Sequence, residues 1–401
     1  MRLHYKAATK DGKTEQGIID AKDINEAAAY LRTKELMPIR IVRETENPLA
    51  KILPFSRRVK SSDLVLFTRQ LSSMLSSGLT LMRALGILKD QIQSAAMQET
   101  VNSIINDVEE GKTFSFAIAK YPNVFSPIYV SLIKAGESSG LLDKVLARLA
   151  DNLEKDSKLK GTIRSALMYP IIVVVLMVVV MAIMMIFVIP QLTTLYQNLN
   201  VPLPLPTQII IGLSRFTGTF WPIILVALVI LIVLFKRWHK TQEGQLTVDG
   251  LILKLPIFGK LIQQTILAEF SRTFGLLVGA GTLVVDALLQ TAGTAGNVHY
   301  RNAITDVSKQ VEKGVTIGDA MSVYVLFPPI LVQLVKIGEQ TGKVDESLAK
   351  ASEYFEREVD QTVKTLTTAM EPFIMVILGV AVAFLIISVI TPIYSLISSI
   401  Q

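Results

Sequence analysis

The chain has 401 residues, of which half are hydrophobic and only 18% are charged, and its mean hydropathy is +0.46. These values are high for a soluble protein and indicate a membrane protein. The net charge of +6 would suit nucleic acid, but the basic residues cluster beside apolar segments. We therefore predict contact with anionic lipid and no nucleic-acid partner. The absence of cysteine excludes disulfides and thiol chemistry.

Residues 1–45 are predicted to form a small α/β unit. The pair Asp11-Gly12 lies between two apolar segments and is typical of a β-hairpin, because both residues tolerate positive φ. Asp23 can cap a following helix, and Pro38–Val42 is typical of a third strand. So small a unit has little core, and we expect it to pack on neighbours or to serve as a docking module. Residues 46–60, with two prolines and scattered charges, are predicted to be a linker.

Residues 61–170 are predicted to form a bundle of helices. Apolar residues recur at spacings of three and four from Leu64 onward, as on one face of a helix. Gly78 and Gly111 stand where helices should end, and Thr113 can cap the next helix. A bundle of this length is within the usual range for one domain.

An uncharged run of nineteen residues, Ile171–Ile189, follows the bundle. At about 1.5 Å per residue it spans roughly 28 Å, close to the thickness of the hydrocarbon core of a bilayer. We predict a transmembrane helix at 171–189, a periplasmic loop at 190–215 and a second transmembrane helix at 216–235. A basic and aromatic membrane anchor follows the second span, formed by Lys236, Arg237, Trp238 and Lys240.

The same landmarks return further along the chain. Phe67, Gly78 and Gly111 recur 203 residues later, and Gly136, Pro170 and Pro190 recur 202 residues later, as Phe270, Gly281, Gly314, Gly338, Pro372 and Pro392. Ordered matches over the length of a domain indicate a duplicated module. We predict a second helical bundle at 264–371, a third transmembrane helix at 372–391 and a C-terminal segment at 392–401.

Charge asymmetry predicts how the chain crosses the membrane. Basic residues precede the first span and follow the second, whereas residues 190–214 carry no charge. The positive-inside rule therefore places both bundles and the N-terminus in the cytoplasm, and residues 190–215 and the C-terminus outside. Pro170 and Pro372 stand where their helices meet the membrane, and we predict a helix break or kink there because proline removes a backbone hydrogen bond.

Residues 236–263 are predicted to be a basic connector between the second span and the second bundle. Its segment Asp249–Leu261 is apolar with lysines and is too short to cross a membrane. Two interpretations remain open. The segment lies in the membrane interface, or it is a linker packed on its own domain.

Sequences that suggest chemistry have simpler interpretations. Gly12-Lys13-Thr14 and Gly111-Lys112-Thr113 lack the upstream glycine of a phosphate-binding loop and fit a hairpin turn and a helix end. The three histidines show no metal-ligand spacing. Two acidic clusters lie among basic residues, so we interpret them as solvated helix faces: Asp151, Glu154 and Asp156, then Glu353, Glu356, Glu358 and Asp360. We predict no catalytic, cofactor-binding or metal-binding residue.

One turn motif occurs in both modules, with Gly136, Glu137 and Gly140 in the first and Gly338, Glu339 and Gly342 in the second. We interpret it as structural. The carboxylate would bond free backbone N–H groups at the start of the next helix, and glycine would permit positive φ. A catalytic acid would need a partner in fixed relation in both copies, and the sequence shows none. The predicted spans contain no ionisable residue, which argues against a transporter subunit, the remote alternative.

These features together resemble the PilC/GspF family, the inner-membrane platform proteins of type IV pilus and type II secretion machines. The likeness rests on the duplicated bundle, the Gly-Glu-x-x-Gly turn, the Tyr-Pro or Glu-Pro pair before a span, and the Leu253–Lys260 segment. The resemblance implies a mainly α, multi-pass scaffold of the bacterial inner membrane that is not an enzyme and binds no cofactor.

The resemblance also implies partners. They are a hexameric assembly ATPase, with a retraction ATPase as a further candidate, pilin or pseudopilin subunits, other inner-membrane assembly proteins, membrane lipid and further copies of the chain. A pilus platform and the equivalent platform of a type II secretion system both fit the sequence.

Overall fold

The computed structural model describes residues 2–8, 14–21, 23–34, 36–43, 59–188, 190–191, 194 and 205–400. It contains two compact units, Met1–Val59 and Lys60–Gln401. Almost all of the predicted linker at 46–60, and much of the predicted loop at 190–215, lie outside the described residues.

The N-terminal unit is a three-stranded antiparallel sheet with one helix. Its elements are β1 (Arg2–Ala8), β2 (Thr14–Asp20), α1 (Ile24–Thr33) and β3 (Met37–Arg43), in the sheet order β2-β1-β3. Asp23 starts α1 because its carboxylate accepts a hydrogen bond of 2.7 Å from the backbone N–H of Glu26. A small core of Ala7, Leu31 and Leu36 holds the helix on the sheet.

The second unit begins with six helices, here called the first helix set. They are α2 (Ser61–Ser76), α3 (Leu81–Gln91), α4 (Ala95–Glu109), α5 (Phe114–Ala119), α6 (Pro127–Ser139) and α7 (Leu142–Ile183). Thr80, Thr113 and Ser126 precede α3, α5 and α6, and each side-chain oxygen accepts from a backbone N–H of the first turn. The sequence therefore fixes these helix starts locally.

Two helices follow α7 before the pattern returns. A π-helical turn, Met184–Val188, extends α7, and α8 (Leu205–His239) and α9 (Gln242–Lys254) come next. The chain bends by 109° between α9 and the helix that follows it.

Six further helices form the second helix set. They are α10 (Phe258–Gly279), α11 (Val284–Thr294), α12 (Val298–Glu312), α13 (Ile317–Ser322), α14 (Pro329–Thr341) and α15 (Val344–Ile400). The helices α11 to α14 have 11, 15, 6 and 13 residues, the same lengths as α3 to α6. The two sets therefore have the same order and nearly the same dimensions.

Glycines with positive φ stand at matching helix ends in the two sets. Gly78 and Gly281 have φ values of 86° and 82°, and Gly140 and Gly342 both have 69°. A side chain is disfavoured at these angles, so glycine is the residue that lets each helix end there.

Aromatic packing in the interior also repeats. The rings of Phe67 and Phe125 lie 6.2 Å apart in the first set, and the rings of Phe270 and Phe327, which occupy the matching positions, lie 5.9 Å apart in the second. All four side chains are almost fully buried. Each set therefore has a core of its own.

Two helices are long and apolar enough to cross a membrane, namely α7 with its π-helical extension and α15. The number rises to three if α9 and α10 are taken together as one bent span, and only the described residues bear on this count. The prediction of a mainly helical chain with apolar spanning helices is confirmed. The predicted span at 216–235 lies within α8, where several side chains are outside the described part of the structure.

Of the predicted helix break or kink at Pro170 and Pro372, the break is wrong, and the kink stays a prediction. Both prolines lie inside continuous helices, Pro170 in α7 and Pro372 in α15. A proline removes one backbone donor, but ending a helix in lipid would leave several backbone groups unpaired, which costs more. The helical pattern of α7 changes only at its π-helical end, beyond Ile183.

Replacing Gly338 by alanine should destabilise the fold. A Cβ atom at this position would lie 2.9 Å from Cβ of Ser347 and 2.9 Å from the Val344 Cα, so α15 would have to move. We expect a loss of about 1–3 kcal/mol in the free energy of unfolding, seen as a lower Tm of the purified full-length protein in detergent.

Gly86→Ala is the matched control, because a Cβ at Gly86 in α3 meets nothing within 4 Å. It should leave Tm unchanged or raise it slightly. Equal effects of the two substitutions would contradict the close packing at Gly338.

Candidate functional site

Glu137 joins two helices of the first set through its carboxylate. It lies near the end of α6, half-buried, and accepts hydrogen bonds from the backbone N–H groups of Phe114 at 2.5 Å and Ser115 at 3.0 Å. These two groups are at the first turn of α5, where N–H groups have no partner within the helix. The negative charge also favours this position because of the helix dipole.

Glu339 makes the same contacts in the second set. Its carboxylate accepts from the backbone N–H groups of Ile317 at 2.5 Å and Gly318 at 2.8 Å, at the start of α13. The two oxygens of each glutamate are therefore both used in holding a helix start.

The sequence interpretation placed each glutamate at the start of the helix that follows the motif, and this is wrong. The capped helices, α5 and α13, precede the motif in the chain. The glycines serve the helix that follows. Gly140 ends α6 in the left-handed conformation, and at Gly136 a Cβ would come within 3.1 Å of the Val145 side chain in α7.

An arginine and a glutamate form an ion pair at matching positions of the two sets. In the first set Arg69 Nε lies 2.5 Å from Oε1 of Glu154, and in the second Arg272 Nη1 lies 2.8 Å from Oε1 of Glu356. Arg69 also binds Asp151 at 2.5 Å, and its guanidinium lowers the pKa of Glu154. Each pair joins the first helix of a set to its long last helix.

The acidic clusters are therefore not merely solvated faces, as the sequence suggested. Asp151, Glu154 and Glu356 bind arginines of another helix, and Glu358 accepts from Gln264 Nε2 at 3.0 Å. The repeat offset could have revealed the pairs, because Arg69 matches Arg272 at 203 residues and Glu154 matches Glu356 at 202.

Arg272 is also where the two helix sets meet. Its side chain is buried, and Nη2 lies 3.7 Å from the carboxylate of Asp156 in α7, which itself binds Lys160 at 2.7 Å. A second contact is close by, where Arg148 Nη1 donates to the backbone carbonyl of Gly279 at 2.7 Å. The sets are therefore joined by polar contacts between α7 and α10.

A cavity of about 310 Å³ lies at this junction. Residues of both sets line it, and those with charged side chains are Asp156, Lys160, Glu269 and Arg272. Burial raises the pKa of Glu269, and the nearby negative charge of Asp156 raises it further. Charges of both signs are therefore close together at the junction of the two sets.

The connector helix α9 packs on the second set. The carboxylate of Asp249 accepts from the backbone N–H of Val298 at 2.8 Å, and a ring nitrogen of His299 lies 3.0 Å from the carbonyl of Leu246. These contacts favour the linker interpretation for its first part. Leu251 is nonetheless 63% exposed, so α9 also presents an apolar residue outward.

The predicted membrane anchor lies at the end of α8. Lys236, Arg237 and Trp238 are in its last turn, with Lys240 just beyond, and the indole of Trp238 is 46% exposed. The ring of Trp238 lies 6.1 Å from that of Phe235. Their role at the membrane surface stays a prediction.

No group of three His, Asp or Glu side chains could hold a metal ion in the ranges that the structure describes.

Replacing Glu137 by glutamine should weaken the fold rather than remove a chemical step. Glutamine has one carbonyl oxygen for two N–H donors, so one donor at the start of α5 loses its acceptor. We expect a loss of about 1–3 kcal/mol in the free energy of unfolding, with a similar loss for Glu339→Gln, measured by thermal unfolding of the purified protein.

Glu109→Gln is the control, since Glu109 is exposed on α4 and its replacement should change stability by less than about 0.5 kcal/mol. A Glu137→Gln protein as stable as the wild type would show that the capping contacts contribute nothing.

Replacing Glu269 by glutamine should stabilise the protein in a pH-dependent way. An acid whose pKa is raised on folding adds stability below its ordinary pKa of about 4.3, and that stability is lost as pH rises through the raised pKa. Glutamine resembles the protonated acid, so the variant keeps this stability at all pH values. The Tm of Glu269→Gln should therefore exceed the wild-type Tm at about pH 8, and the difference should shrink towards about pH 5.

Glu353→Gln serves as the control, because Glu353 is exposed on α15 and its replacement should give no pH-dependent difference. A Glu269→Gln difference that stays constant with pH would contradict the raised pKa.

Comparison with known sequences identifies relatives of the whole chain. A model of the family described as "Type II secretion system (T2SS), protein F" matches twice, at residues 67–190 and 270–392. A model of the N-terminal domain of the same protein matches residues 4–42. The two long matches cover most of the first and second helix sets, including the apolar parts of α7 and α15.

Individual relatives cover nearly all of the chain. The type IV pilus assembly protein PilC of Thermus thermophilus is 36% identical over 99% of this chain and 98% of its own length. TapC of Aeromonas hydrophila, a type IV pilus assembly protein, is 34% identical over 98% and 95%. The type II secretion system protein F of Vibrio cholerae is 26% identical over 98% and 97%. The predicted resemblance is confirmed, and the chain belongs to the family of type II secretion system protein F and the type IV pilus assembly protein PilC.

Proposed function

We propose that this chain is an integral platform protein for type IV pilus assembly in the bacterial inner membrane. The observation that carries the proposal is its greater similarity to relatives named as type IV pilus assembly proteins than to those named as type II secretion protein F. The equivalent platform of a type II secretion system is the second candidate, because the matching family model has that name.

In the proposed arrangement the two helix sets are copies of one cytoplasmic bundle. The family model matches each copy once, and the capping glutamates and Arg–Glu pairs recur at matching positions. In this arrangement the chain crosses the membrane at 171–189, 216–235 and 372–391, with the N-terminus inside and the C-terminus outside. Basic residues on the bundle side of the first two spans support this orientation.

The proposed role is that of a scaffold and not of an enzyme. The carboxylates that the two sets share are occupied in capping helices or binding arginines within the described ranges. We infer that a partner supplies the work, and that this partner is a cytoplasmic assembly ATPase that contacts one or both bundles.

The long helices provide the mechanical connection. Both α7 and α15 begin beside a glycine turn in a bundle and continue without a break into an apolar span. A movement of a bundle therefore moves the attached span. The work is needed to transfer pilin subunits from the bilayer to the filament. Exposing the apolar surface of a pilin helix to water costs about 25 cal/mol of free energy per Å².

Loss of this chain should abolish surface pili and leave type II secretion intact. The test deletes its gene in the source organism and measures sheared pilin and secreted enzymes separately. Pili that persist while secretion fails would assign the chain to the secretion system instead.

The full-length chain in native membranes should also capture the assembly ATPase, and the yield should fall as salt rises, because exposed charges are screened. Membranes that lack the chain are the control. No capture at low salt would contradict the platform role.

A further inference from the structure

The long helices α7 and α15 pack on each other through faces that do not correspond. Leu159 of α7 lies in one buried apolar cluster with Val359, Val363 and Leu366 of α15, and the partly buried Ile163 packs against it. At the repeat offset of 202, the residues of α7 that match Val359, Val363 and Leu366 are Ser157, Gly161 and Arg164. The same position on the helix surface therefore occurs twice in the chain. On α15 it is covered by α7, and on α7 it is not covered by α15.

The uncovered face of α7 is open in the structure. Ser157, Gly161, Arg164 and Met168 are all exposed, and a Cβ atom at Gly161 would meet nothing within 4 Å. A groove of about 480 Å³ borders it, lined by Lys160, Ile163, Arg164, Leu167, Met168 and Ile171, of which Arg164 and Met168 belong to the open face.

Polarity changes along this groove at the level where the predicted span begins. Its start is basic, with Lys160 and Arg164, and its end is apolar, with Met168 and Ile171. Arg164 precedes Ile171 by two helical turns, about 10 Å along the axis, so a long guanidinium side chain reaches the headgroup layer. This order of charged and apolar side chains matches the polar head and apolar tail of a lipid.

The charge of the groove selects the headgroup. Within the part of the chain that the structure describes, no acidic side chain forms an ion pair with Arg164, whereas Lys160 is bound to Asp156. In the covered face the matching residue is Leu366, which is buried. The replacement of a buried leucine by an unpaired arginine gives the open face an affinity for phosphate.

We propose that this groove on α7 binds one anionic phospholipid, with its phosphate at Arg164 and an acyl chain along Met168 and Ile171. Lys160 stands one turn further from the membrane but is bound to Asp156, so the unpaired charge of Arg164 favours a negatively charged headgroup. The inference depends on the membrane placement of α7 and not on the assignment to pili, so a secretion platform would bind the lipid equally.

Native mass spectrometry of the purified, delipidated full-length protein tests the site. Phosphatidylglycerol is titrated against phosphatidylcholine, and one phosphatidylglycerol should be retained preferentially. Arg164→Leu, which installs the residue of the second set, should weaken retention about fivefold. Met168→Ser keeps the charge, removes an apolar side chain that lines the groove and should also weaken it.

Lys158→Leu is the matched control. Lys158 is exposed on the same helix but does not line the groove, so its loss should leave retention unchanged. Equal effects of Arg164→Leu and Lys158→Leu would show general attraction to a basic surface and overturn the proposal.

Two further outcomes would overturn it. Displacement of phosphatidylglycerol by glycerol 3-phosphate would show a site for free phosphate. Variants that change the oligomeric state while lipid retention persists would assign the face to a second copy of this chain. A Tm equal to that of the wild type shows that each variant is folded.

Discussion

Two helices of this protein join a part packed by charged side chains to an apolar part long enough to cross a membrane, along one unbroken backbone. In its bundle part α7 is held by side-chain contacts, such as the pair between Arg69 and Glu154. In its apolar part the exposed residues, among them Ile171 and Ile172, can face lipid only because the backbone groups are paired within the helix. This requirement explains why Pro170 and Pro372 are tolerated inside helices and do not end them.

The glutamates and arginines hold the bundle around these helices at matching positions. Glu137 holds the start of a short helix of six residues, which by itself would be too short to be stable. Arg69 and Arg272 hold the long helix of each set to the first one. The sets differ in what surrounds these pairs. Arg272 is buried because α7 covers it, whereas Arg69 remains partly exposed.

Local features of the chain were predictable from the sequence. Helix starts at Asp23, Thr113 and Ser126 depend on contacts within one turn, and helix ends at glycine depend on one dihedral angle. The repeat offset also located the two sets. These signals lie within short segments, so a single sequence contains them.

Contacts between distant helices were not predictable in the same way. The partner of Glu137 lies 23 residues upstream, and nothing in the spacing indicates whether a carboxylate reaches the preceding or the following helix. The acidic clusters were misinterpreted for a similar reason, since a charged helix face has the same sequence whether water or an arginine covers it. At Pro170 a general preference of proline was outweighed by the cost of unpaired backbone in lipid.

The packing of α7 on α15 through unlike faces limits what a single module could build. A symmetric dimer requires each partner to offer the same patch, but here Leu159 and Ile163 pack against residues that match Ser157, Gly161 and Arg164. A protein with one module that used this contact would add copies head to tail, with an unused face at each end. Joining two modules in one polypeptide supplies one such contact, and the exposed Ser157, Gly161 and Arg164 on the outer face of α7 do not offer the same apolar surface to a third module.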